Sequence, residues 1–172
     1  VPHALIAAVG GDTVKAITLF GETYPDVDLV ALVDFDNDSV GTSLKCCEAL
    51  GDRLWGVRLD TSNTLVDKSI VPVMQNFSPV GVTPQLVEMT RKMLDRHGFS
   101  HVKIIVSGGF HPNRIAGFEK LQVPVDAYGV GSYLMRGVNA FTADVVLLDG
   151  KPCAKVGREY QPNERLEVVN SR

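Results

Sequence analysis

The sequence predicts an α/β protein built on a parallel sheet, and three observations predict it. Short apolar, β-rich runs recur along the chain, each is followed by a segment of helical period, and turn or cap residues separate the two kinds. The resulting βαβαβαβ order calls for right-handed crossovers between neighbouring parallel strands.

Taken in order, residues 11–23 carry Val14, Ile17, Leu19 and Phe20 at helical spacing. Asp28 to Val33 is a short apolar run suited to a buried strand. Asp38 to Leu50 reads as a helix opened by Asp38 or Ser39 and closed by Gly51. Leu54 to Leu59 is the second strand, and Trp55 within it reads as core. Asp67 to Val82 is polar and contains proline, which predicts a long loop or a frayed helix. Thr83 opens the next helix, with Pro84 at its first position and Gly98 just past its end. Val102 to Val106 is the third strand, Asn113 to Lys120 a short helix, and Val125 to Val130 the fourth strand. After Thr142 the pattern changes. Ala143 to Leu148 and Pro152 to Val156 flank Asp149-Gly150, which predicts an antiparallel hairpin over about 142–165.

These elements read as one domain over 1–172, yet four βα units are too few to close a barrel, which needs about eight strands. With no initiator Met and an abrupt start at Val1-Pro2-His3, the chain is expected to be part of a barrel whose other strands lie elsewhere.

Composition narrows the function classes. A hydrophobic fraction of 45% with 22% charged residues is that of an ordinary globular protein. A net charge of -3 argues against nucleic acid as partner, because phosphate-backbone binders carry a basic excess. No run approaches the roughly 20 apolar residues that span a bilayer, and the opening residues lack the basic region of a signal peptide. Cys46, Cys47 and Cys153 are odd in number and two are adjacent, so reduced thiols and a cytoplasmic location are expected. No spaced Cys/His set suggests zinc.

The chemistry gathers at strand ends, where parallel α/β architectures bind their ligands. The first strand ends at Asp34, the second in Arg58-Leu59-Asp60, the third in Ser107-Gly108-Gly109, and the fourth in Gly129-Val130-Gly131-Ser132. The two glycine turns read as halves of a phosphate cradle, since glycine lets backbone N–H groups approach an anion. The bland alternative for each is a tight βα turn. Asp34 and Asp60 suit a ribose diol or Mg²⁺, with capping as the alternative. Strand alternation puts Arg58 and Asp60 on one face. A buried Arg there is costly unless it meets an anion or carboxylate. His3 carries little weight alone, and His111 is the histidine expected to border the pocket.

Seven blocks then carry a resemblance. VPHALI with GGDTVKA, LVDFDNDSV, LWGVRLDTS, KIIVSGGF, VPVDAYGVGS, FTADVV and DGKPCAKVGR resemble successive segments of nicotinate phosphoribosyltransferase, in order, from Val1 to about Arg165. That is a type II phosphoribosyltransferase of NAD salvage. The resemblance implies a partial β/α barrel of four parallel βα units ending in an antiparallel hairpin. It implies transfer of phosphoribosyl from phosphoribosyl pyrophosphate to nicotinate, with Mg²⁺ and with ATP as co-substrate. In this match His3 takes the place of a phosphorylated histidine, and Arg58 and Asp60 contact the ribose phosphate end. Asp34 lies near the ribose or metal, and Ser107, Gly108, Gly109, Gly131 and Ser132 form the 5′-phosphate cradle. Asp34 and Asp60 are the metal candidates.

The family's amino-terminal half, with its nicotinate-sandwiching residues, has no counterpart here. The resemblance therefore implies a dimeric or larger enzyme completed by that missing half, and an isolated chain without activity. Quinolinate or nicotinamide phosphoribosyltransferase, a non-catalytic phosphoribosyl-binding fragment, and an unrelated phosphate-binding barrel isomerase are the competing readings.

Overall fold

The structure is a computed structural model that describes residues 1–137 and 142–165. It divides into two compact units, Val1–Arg136 and Gly137–Arg172.

In the first unit the element order is α1 (His3–Ala8), α2 (Thr13–Thr23), β1 (Leu29–Leu32), α3 (Ser39–Leu50), β2 (Leu54–Leu59), α4 (Pro84–Arg96), β3 (Lys103–Val106), α5 (Pro112–Lys120) and β4 (Ala127–Tyr128). The four strands form one sheet in sequential order β1-β2-β3-β4, parallel throughout. The expected four-stranded parallel sheet is thus present. Among the described residues it remains an open sheet, with β1 and β4 at its edges.

Local chemistry sets the helix starts. The Asp12 carboxylate accepts from Lys15 N at 2.9 Å, Asp38 accepts from Gly41 N at 3.1 Å, and the Thr83 hydroxyl accepts from Leu86 N at 3.1 Å. Each satisfies a backbone donor that the first turn leaves free, a contribution of about 1 kcal/mol. Helix α1 was not foreseen. It is too short for a visible period and lacks a side-chain cap.

The core lies between the sheet and its helices, with Ala31, Val57, Ile104 and Val106 from the strands packed against Ile17, Leu86 and Leu94. Cys46 and Cys47 are fully buried in it. Trp55 is not core, being 40% exposed. Leu29 pairs with Leu54 but Val30 pairs with Gly56, so a bulge leaves Trp55 without a partner on β1.

Strand β4 is shorter than the expected Val125 to Val130, and at its start the Asp126 carboxylate, not a backbone carbonyl, takes the Ile104 N–H at 2.8 Å. The stretch from Asp67 to Val82 is an organised loop rather than a frayed helix. Val66 and Val80 form an antiparallel bridge, and Val71–Val73 is a 3₁₀ turn.

The second unit holds the hairpin, β5 (Leu147–Leu148) and β6 (Lys151–Pro152). Asp149 and Gly150 both have positive φ, 50° and 75°, as a two-residue hairpin turn of the primed kind requires. The strands are shorter than the sequence suggested. Pro152 offers no N–H, although Cys153 N still donates to Val146 O at 3.0 Å.

Candidate active site at the strand ends

The carboxyl ends of the four strands bring the expected residues together. Ser107, Gly108, Gly109, Gly129, Gly131 and Ser132 line one cleft of about 410 Å³, joined by Arg58 and Val130. Gly108 and Gly109 have φ of 84° and 81°, a conformation that side chains with a Cβ rarely adopt. A Cβ on Gly129 would lie 3.0 Å from that of Ser107, so this close approach also needs glycine. Gly131 has open space around it, and nothing steric requires glycine there.

Among the described residues, the backbone N–H groups of Gly108, Gly109, Gly131 and Ser132 have no protein acceptor. A cleft lined by free donors beside a guanidinium is a setting for an anion.

On the cleft lining, Ser107 joins two strands. Its hydroxyl donates to Asp60 Oδ1 at 2.6 Å and accepts from Arg58 Nη1 at 3.3 Å. Arg58 and Asp60 therefore do share a face, with Ser107 bridging them. Asp34 Oδ1 lies 3.0 Å from His3 Nε2. One ligand atom from each of His3, Asp34 and Asp60 falls within 4.8 Å of the others. The Asp34 side chain is 9% exposed and that of His3 46%. Burial raises the Asp34 carboxyl above the ordinary carboxylate value, and His3 pulls it back only in part.

The donor set suits Mg²⁺ through its two carboxylates, each with an oxygen left over from its protein contact. The imidazole is the poorer partner for so hard an ion.

The chain has relatives of known kind. No family model matches it. A nicotinate phosphoribosyltransferase of Mycobacterium tuberculosis is 29% identical over 147 residues, 83% of this chain and 27% of that protein. One of Bacillus subtilis is 28% identical over 136 residues, 77% of this chain and 24% of that protein. The crystal structure of nicotinate-nucleotide pyrophosphorylase from Pyrococcus furiosus superimposes with a TM-score of 0.64 at 37% identity, covering 92% of this chain and 37% of that one. The chain is a member of the type II phosphoribosyltransferase family. It spans about a quarter of the length of the curated relatives it matches.

Two residues outside the cleft lining escaped the sequence reading. Asp67 is fully buried, and its carboxylate accepts from Ser39 N, Ser39 Oγ and Ser69 N at 3.0, 2.7 and 2.9 Å. It fastens the loop after Asp60 to the start of α3. Nothing local marks it among the other polar residues of that loop. Arg114 stands in the first turn of α5, where the helix dipole disfavours a cation. That misplaced charge was the signal available in the sequence. His111 borders a second cleft of about 690 Å³, together with Arg114 and Arg136. Among the described residues no helix is long and apolar enough to cross a membrane.

Proposed function

We propose that this chain supplies the phosphoribosyl side of an active site that transfers phosphoribosyl from phosphoribosyl pyrophosphate to nicotinate, giving nicotinate mononucleotide and pyrophosphate. The observation that carries the reading is the Arg58–Ser107–Asp60 chain set against a glycine cleft with free N–H donors. Similarity to two nicotinate phosphoribosyltransferases supports the choice of base.

In this reading the free N–H groups of Gly108, Gly109, Gly131 and Ser132 hold the 5′-phosphate. Arg58 neutralises anionic charge at the cleft edge and orients Ser107. Asp34 and Asp60 face the positive charge that builds on the ribose as its bond to pyrophosphate breaks, where fixed carboxylates stabilise the transition state. Asp34 and Asp60 would also hold Mg²⁺, which supplies charge neutralisation for the departing pyrophosphate. His3, tethered to Asp34, is the group through which ATP would be coupled by transient phosphorylation.

The open edges at β1 and β4 favour completion by further polypeptide, because uncovered edges invite pairing. The missing half of the enzyme and a second subunit are the covers proposed, and the isolated chain is inactive in this reading.

Steady-state turnover with nicotinate, quinolinate and nicotinamide as competing acceptors tests the assignment. Nicotinate should be turned over best. Preference for quinolinate would replace the reaction, and binding of phosphoribosyl pyrophosphate without turnover of any base in the complete protein would reduce it to a binding module.

A further inference from the structure

We infer that Arg114 is a positioning residue that locks the Gly108–Gly109 peptide with its N–H turned into the phosphate cleft. The inference rests on the cradle reading above and adds a residue outside the cleft lining.

Arg114 Nη1 donates to Gly108 O at 2.8 Å, and Nη2 donates to Val82 O at 2.8 Å. Nη1 also approaches Asn63 Oδ1 at 3.4 Å. The guanidinium carbon sits 4.1 Å from the centroid of the Phe110 ring. That ring is itself buried and packed edge-on against Phe118 at 5.0 Å. One planar, rigid fork thus ties the turn after β3 to the loop before α4, over an aromatic floor. Arg114 is half-buried, and that burial lowers the proton affinity of its guanidinium.

A trans peptide is planar, so its C=O and N–H point in opposite directions. With Gly108 O held on the Arg114 side, Gly109 N–H must face the other way. The Gly109 N–H has no protein acceptor among the described residues, and Gly109 lines the proposed phosphate cleft. Both flanking residues are glycines at positive φ, the combination for which a peptide flip meets least resistance. A flip would present a carbonyl oxygen to the anion where a donor is needed. Arg114 prevents it by giving that carbonyl a charged partner.

The test uses the purified protein with ribose 5-phosphate and inorganic phosphate as probes. In the wild type, either probe should shift the backbone amide resonances of Gly109 and Gly131. Arg114→Ala should weaken ribose 5-phosphate about tenfold or more, the scale of one hydrogen bond to a charged acceptor. In the complete enzyme the KM for phosphoribosyl pyrophosphate should rise in step, with kcat and the KM for nicotinate nearly unchanged. Added methylguanidinium should restore part of the affinity. Arg114→Lys, which keeps the charge but can reach one carbonyl, should fall between, and it decides the matter if the Ala variant does not fold.

Unshifted Gly109 and Gly131 amides in the wild type would remove the cradle reading and this inference with it. Normal wild-type shifts with unaltered phosphate affinity in both variants would overturn the role of Arg114 alone. An equal rise in both KM values without methylguanidinium rescue would also overturn it, since that is the mark of a general packing defect.

Discussion

The Ser107 hydroxyl donates to the Asp60 carboxylate at 2.6 Å between the ends of two neighbouring strands, from a residue 47 positions away in the sequence. The same oxygen accepts from Arg58, so one hydroxyl sets the relative placement of a cation and an anion.

Removing either charge should therefore have a distinct kinetic signature. Asp60→Asn should lower kcat roughly 10²-fold, the usual cost of one preorganised electrostatic group. Arg58→Ala should chiefly raise KM for the phosphorylated substrate, as expected for lost ground-state binding. Steady-state kinetics on the two variants of the complete enzyme checks both, and interchanged effects would reverse the roles.

In the complete enzyme, His3 should acquire an acid-labile phosphate on incubation with ATP. His3→Ala should abolish ATP stimulation while leaving basal transfer measurable. Phosphate retained after mild acid, or ATP stimulation undiminished in the variant, would leave His3 as a mere hydrogen-bond partner of Asp34.

Asp34 should show opposing effects on stability and activity. Burial is the largest influence on its carboxyl and raises it. The folded state then holds the proton more tightly than the unfolded one. Its contribution to stability is greatest below the ordinary carboxylate value and is lost as pH rises through the raised folded value. Asp34→Asn removes the buried charge, so Tm at neutral pH should rise while turnover falls by roughly 10²-fold. Thermal melts across the acid range check the sign. A lower Tm at neutral pH would show that the His3 contact outweighs the cost of burial.

The thiols should separate cleanly. Burial pushes Cys46 up to about 12 and Cys47 to about 11, whereas Cys153 is exposed. Since only thiolate reacts, alkylation near about pH 8 should modify Cys153 first. Cys46 and Cys47 should follow only on unfolding, as peptide mapping of a time course would reveal.

Asp67 offers a test of the loop. Its carboxylate accepts three hydrogen bonds with no solvent access, so Asp67→Ala should cost about 2–3 kcal/mol by stranding buried donors. Denaturant titration measures it. A loss much below this would mean that the loop after Asp60 re-forms around Ser39 without it.

The sequence by itself determined the alternation of strands and helices, the caps at Asp38 and Thr83, and the strand ends that meet at the cleft. These follow from period, capping chemistry and glycine content, all of which act over a few residues. Only the tertiary structure decided the rest. Trp55 is displaced from the core by a bulge set in the pairing of β1 with β2. At the start of β4 a side chain takes a neighbouring strand's donor. Asp67 is buried because Ser39 lies opposite it, 28 residues away. Arg114 is half-buried because Val82 O holds its guanidinium over the Phe110 ring. Each of these depends on partners brought near only when the chain folds, and a local pattern carries no record of them.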